Sequence, residues 1–198
     1  MKELKIMLQM PGLVVFDPIV MKEFITANNV STPNILENFI NDPGLGNQAI
    51  HSGCLISIYS IAQGDYRVIL NESDNSTLPV GWELFETPAF VLEVRSNRVI
   101  VSDIWAMLNW DEETYVHFGQ YPVDERYADA EFSSSDAAEL SNGLYEVKIK
   151  GFRNSENLDL EKQEYGYELL LTRTDNPVFG VVGSIENIQF DVRGLPIE

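Results

Sequence analysis

At 198 residues, with 44% apolar and 11% aromatic positions, the chain can fill a packed core, which excludes an intrinsically disordered protein. Its 31 acidic residues against 13 basic ones give a net charge of −18, which excludes electrostatic attachment to nucleic acid or to an anionic membrane, since both need clustered lysine and arginine. The one cysteine, Cys54, excludes an internal disulfide framework and a thiolate zinc site, and suits a reducing compartment.

The N-terminal run MKELKIMLQMPGLVVFDP is interrupted by Glu3, Gln9 and Pro11 and is followed by no small-residue cleavage site, so it reads as chain rather than as a signal peptide. No segment has the roughly 18 continuous apolar residues of a membrane span. The expected location is cytoplasmic. Ile19, Val20, Phe24 and Ala27 are spaced for a short amphipathic helix. A second helix is predicted with Thr32 as N-cap, Pro33 in its first position and Ile35, Leu36, Phe39 and Ile40 as its apolar stripe, stopped by the PGLG at 43–46.

From Ile50 the texture turns to β-branched and aromatic residues broken by turn signals. CLISIYSI, AQGD and YRVIL read as one hairpin, and AFVLEV, SN and RVIVSD as another. Asp103 is placed to cap a helix over 103–110, with Ile104, Trp105, Met107 and Leu108 on its buried face and Trp110 near its end. The serine-rich stretch Ser133 to Gly143 reads as a long loop. Beyond it, Gly143-Leu144-Tyr145-Glu146-Val147 echoes Gly64-Asp65-Tyr66-Arg67-Val68, and each is followed by an apolar strand. The echo places Tyr66 and Tyr145 at similar points of two hairpins, with buried rings.

These elements predict an α+β, β-dominant fold: an antiparallel sheet or sandwich built from hairpins, with two or three short helices, an N-terminal pair and 103–110. The expected organisation is a single domain over 1–198, with sub-structure at 1–132 and 143–198 joined by the loop 133–142.

Candidate chemistry is sparse. His51 and Cys54 are the one close imidazole–thiol pair, but Leu55 and Ile56 after the cysteine predict a buried, structural thiol. Glu113 and His117 stand four residues apart, which supplies two metal ligands where a site needs more. No Gly-x-Ser-x-Gly elbow, phosphate loop or dinucleotide fingerprint occurs. No catalytic residue, metal ligand or cofactor is therefore assigned, and the reading leans away from an enzyme.

The strongest signal is charge. Between Val101 and Glu146 lie eleven acidic residues and one basic one, Arg126, so ten of the eighteen net negative charges are local. Within that region, Asp111, Glu112, Glu113, Asp124, Glu125, Asp129 and Glu131 are interleaved with Tyr115, Tyr121 and Tyr127, and these ten residues form the candidate partner-binding set. Such a surface suits a basic protein, whose guanidinium groups pair with carboxylates and stack on rings. The expected function is a non-enzymatic acidic protein-binding module, of the kind that as an inhibitor or immunity protein neutralises a basic partner such as a nuclease. Direct nucleic-acid or membrane binding is not expected. Two alternatives compete: a hydrolase using carboxylates as acid and base, and a carbohydrate- or ligand-binding β-sandwich with Trp82, Trp105 or Trp110 as stacking platforms.

Overall fold

The chain carries strands that alternate between apolar and polar residues, such as KELKIML, and strands that are apolar throughout, such as GLVVF. The computed structural model describes residues 1–118, 132–154, 164–181 and 185–194. The larger sheet contains β1 (Lys2–Leu8), β4 (Gly64–Asn71), β10 (Tyr165–Arg173) and β9 (Gly143–Arg153) in that order. β5 (Glu83–Glu86) and β6 (Phe90–Val94) lie end to end along the outer edge of β9. The smaller sheet runs β3 (Leu55–Tyr59), β2 (Gly12–Phe16), β7 (Arg98–Asp103), β8 (Ser135–Glu139). The fold is α+β and β-dominant, as the sequence predicts. The expected antiparallel sheet is mixed, because β4 and β10 run parallel.

β1 alternates, with Leu4, Ile6 and Leu8 buried between more exposed neighbours, so it has one dry face. β2 is buried at every position. Its Leu13 and Val15 join the core between the sheets, with Ile56, Ile58, Val99 and Val101, while Val14 and Phe16 point the other way. That second face is covered by α1 (Pro18–Ala27), α2 (Ile35–Asn41), α3 (Pro43–His51) and α4 (Trp105–Leu108), giving three layers. A strand packed on both faces must be apolar throughout, which is the pattern of GLVVF.

The two sheets are joined at both sides. On one side, Met7 N–H donates to the Ser133 carbonyl (2.8 Å) and Ser133 N–H to the Lys5 carbonyl (3.1 Å), linking β1 to the start of β8. On the other, Glu93 N–H of β6 donates to the Gly53 carbonyl just before β3 (2.8 Å).

Three buried carboxylates hold the connections. Asp17, fully buried, caps α1 by accepting from Ile19 N–H (2.7 Å) and Val20 N–H (3.1 Å) on one oxygen. Its other oxygen accepts from Arg95 N–H (2.8 Å), Ser96 N–H (2.7 Å) and Ser96 Oγ (2.7 Å), fixing the turn between β6 and β7. Asp103 accepts from Gln9 N–H, Met10 N–H and Trp105 N–H; burial pushes its carboxyl above the ordinary value against the pull of those three donors. Glu168, also fully buried, accepts from Asn71, Ser76 and Thr77; burial works to raise its pKa, but the donors outweigh it and hold the carboxyl below its usual range.

Several local expectations are corrected. Neither predicted hairpin forms: β3 pairs with β2 and β4 with β1 and β10, while β6 pairs with β9 and β7 with β2 and β8. In the second case the amides of Arg95 and Ser96 go to Asp17, and the chain crosses from one sheet to the other. α2 is capped by Asn34, whose side chain accepts from Glu37 N–H and donates to the Glu37 carboxylate, rather than by Thr32. Pro33 follows a cis peptide bond outside the helix. The PGLG sequence starts α3 instead of ending α2, because Asp42 accepts from Leu45 N–H and Pro43 needs no donor in the first turn.

The predicted loop 133–142 contains β8, whose Ala138 enters the core. In α4, Ala106 and Met107 are the buried residues, Leu108 is half-buried and Trp105 is exposed. The Gly-x-Tyr-x-Val echo is structural at short range: Tyr66 and Tyr145 are both buried in strands, and their hydroxyls donate to carbonyls four residues back, of Ala62 (2.6 Å) and Ser141 (2.7 Å). Only Tyr145 belongs to a hairpin, β9–β10.

Because Asp17 holds five donors in a site without solvent, Asp17→Asn should keep the α1 cap yet turn an amide donor against Arg95 N–H and Ser96. The expected loss is about 2–4 kcal/mol in urea denaturation with an unchanged slope.

Candidate functional site

The acidic segment begins where α4 ends, and its first turns are fixed from below. Trp110 is buried, and its backbone N–H donates to the Pro33 carbonyl (2.9 Å). Tyr115, 1% exposed, stacks on Trp110 (5.2 Å between centroids, 20° between planes), and both rings meet Phe16 of β2. Arg98 of β7 donates through one guanidinium nitrogen to the carbonyls of Tyr115 (3.0 Å) and Val116. The chain between these anchors closes into a π-helical turn, Thr114–Phe118.

Asp111 opens that turn by accepting from Glu113 N–H (3.1 Å) and Thr114 Oγ1 (2.6 Å), and the Thr114 hydroxyl holds its carboxyl below the ordinary value. Asp111, Glu112 and Glu113 are all exposed. Glu112 meets Lys22 of α1 at 2.7 Å, a pair open to water on both sides and hence of small energetic weight. Glu113 and His117 are both exposed, and among the described residues no group of three His, Cys, Asp or Glu side chains could hold a metal ion.

Of the ten candidate contact residues, Asp111, Glu112 and Glu113 therefore stand on the surface, whereas Tyr115 faces the core and anchors the segment. Tyr121, Asp124, Glu125, Tyr127, Asp129 and Glu131 lie outside the described residues. What sequence reading missed here is Arg98, a lone cation in an apolar strand. Its separation from the segment it ties down hides it, and its only sequence signal is a charge opening the β-branched run RVIVSD.

The other candidates resolve as follows. Cys54 is buried, with its sulfur 3.6 Å from that of Met21, and burial pushes the thiol well up, helped by the charges of Glu93 and Asp17. His51 is exposed and its ring lies tilted against that of Phe179 (4.1 Å between centroids, 33° between planes), so no thiol–imidazole pair forms. Trp110 is enclosed, Trp82 is half-buried against Phe152, and Trp105 is 45% exposed. Among the described residues no helix is long and apolar enough to cross a membrane.

The sequence matches no protein-family model and no curated protein. Two solved structures are similar in chain path. One is ComJ, an inhibitor of the DNA-degrading activity of NucA from Bacillus subtilis, at 13% identity and a TM-score of 0.44 over 88% of this chain and 96% of that one. The other is crocagin biosynthetic gene J, at 13% identity and a TM-score of 0.46 over 87% of this chain and 97% of that one.

Two outcomes test the anchoring. Tyr115→Ala should cost about 3–5 kcal/mol of unfolding free energy, as expected for a ring removed from a packed cluster, while Glu112→Gln and Glu113→Gln should each stay within about 0.5 kcal/mol. In native protein, Cys54 should react with a thiol reagent only at the rate of unfolding, measured by labelling across a denaturant series.

Proposed function

We propose that the chain is a non-enzymatic acidic protein-binding module that neutralises a basic partner in the manner of an inhibitor or immunity protein, with a nuclease as the leading partner class. The observation that carries this reading is the presentation of Asp111, Glu112 and Glu113: three consecutive exposed carboxylates on a turn whose base is locked by Trp110, Tyr115, Phe16 and Arg98. Carboxylates held in place lose less freedom on binding than those of a loose tail, so more of their attraction appears as affinity. Their mutual repulsion, offset at Glu112 by Lys22, is relieved further when cations approach.

The remaining contacts are assigned to Tyr121, Asp124, Glu125, Tyr127, Asp129 and Glu131, which continue the same composition along the chain. A nuclease groove must carry positive charge to hold a phosphate backbone, so a row of carboxylates is complementary to it. The buried carboxylates Asp17, Asp103 and Glu168 are each occupied by backbone or side-chain donors, which supports structural roles for them rather than acid–base ones.

Rim charges act mainly on the rate of encounter, and salt screens them over about 10 Å at 0.1 M. Wild-type protein should capture its partner from native lysate, and association should slow as ionic strength rises. Replacing Asp111, Glu112, Glu113, Asp124 and Glu125 by their amides should slow association at low salt and flatten the salt dependence, with the fold intact by circular dichroism. Equal rates for both proteins at low and high salt would reduce the segment to a solvated face.

A further inference from the structure

On the helical side of the smaller sheet, α2 and α3 stand off β2 and β3 far enough to leave an open cleft of about 640 Å³. It is lined by Val14 and Leu55 of the sheet, Leu36 and Phe39 of α2 and Met107 of α4. These are the faces that elsewhere pack tightly as the second core, so the cleft is a gap in an apolar layer. It falls within the size range of small-molecule sites, roughly 300–1,000 Å³.

Three polar groups enter this lining. Ser57 and Tyr59 of β3 both line the cleft, Tyr59 also packing against the core between the sheets, and Asn47 enters the lining from α3. Ser57 is only 8% exposed. Among the described residues, none makes a side-chain hydrogen bond to Ser57, Tyr59 or Asn47. With no hydrogen bond inside the protein, these groups are free to bond a ligand in place of water. The Ser57 hydroxyl lines space wide enough to admit a ligand atom. Glu186 lies in the same lining, and burial, together with its charge, holds the Tyr59 hydroxyl above its ordinary pKa.

We propose that this cleft binds a small uncharged amphipath: an apolar body lying between α2 and β2–β3, and a hydroxyl or carbonyl head bonded by Ser57, Tyr59 and Asn47. The apolar lining favours the body, and the three unpartnered polar groups favour a head that both accepts and donates. An anionic head is disfavoured by Glu186 in the lining and by the net charge of −18. The site shares α4 with the base of the acidic segment but does not depend on that segment's role.

The test uses the intact chain and three probes: the neutral dye N-phenyl-1-naphthylamine, whose emission rises in apolar surroundings, and 1-decanol and decanoate as competitors. Wild type should bind the dye saturably at one site, with decanol displacing it at least tenfold more effectively than decanoate. Ser57→Leu should fill the cleft and abolish binding. Asn47→Phe should do the same from the exposed rim of α3, where a larger side chain leaves the core untouched. Ser57→Ala should keep dye binding and weaken decanol by about five- to tenfold, the loss of one hydrogen bond.

Native circular dichroism and melting temperature confirm that each variant is folded. Absence of saturable dye binding, or undiminished binding in folded Asn47→Phe, overturns the site. Equal displacement by decanoate and decanol overturns the assignment of an uncharged head.

Discussion

A carboxylate with no access to solvent, Asp17, is the point on which the arrangement of layers turns. It stands where β2 ends and α1 begins, and it draws in the turn between β6 and β7. Without those bonds the amides of Arg95 and Ser96 would lose the acceptor that holds the turn to the end of β2, and the crossing between sheets would lose its tie. With them, β7 is delivered beside β2 and the first helix is set over the outer face of the smaller sheet. Placing α1 creates the second core. The second core gives Trp110 and Tyr115 something to pack on, and that packing sets the acidic turn on the surface above it.

Much of this was legible in the residues, for physical reasons that can be named. The β-dominant class followed from runs of branched and aromatic residues, whose side chains suit a pleated surface, and α1 followed from its apolar spacing. The burial of Cys54 followed from its apolar successors. Partnering between strands was not legible. A hairpin was the local reading of FVLEV-RSN-RVIVSD because short connections usually join neighbours, but the donors of that turn are claimed by an aspartate 78 and 79 residues away. The serine-rich stretch 133–142 read as a loop because serine favours turns, yet the strand there needed only two small alanines and a free edge of β7 to pair with.

The candidate surface was legible in composition and not in role. Asp111, Glu112 and Glu113 stand exposed as a charged run should, whereas Tyr115, grouped with them by proximity, is turned inward by Trp110 and Phe16. Aromatic residues beside acids can serve either as contacts or as anchors, and only the three-dimensional position of Phe16, nearly a hundred positions earlier, decides which. The cleft was invisible for a related reason. Ser57 and Tyr59 looked like ordinary strand residues, and nothing local records that two helices stop short of covering them.

The junctions at Ser133 and Gly53 bear on how such a chain behaves in a crowd. Strand-rich proteins tend to recruit one another through unpaired backbone at the borders of their sheets, a route to fibres. Here part of the border at β1 is taken by Ser133 and part of that at β6 by Gly53. β5 is four residues long and is bounded by Glu83 and Glu86, which pair with Lys150 across the strand. A second molecule arriving there would meet a short, charged ledge on a strongly anionic particle. At these borders the topology and the net charge both work against edge-to-edge pairing.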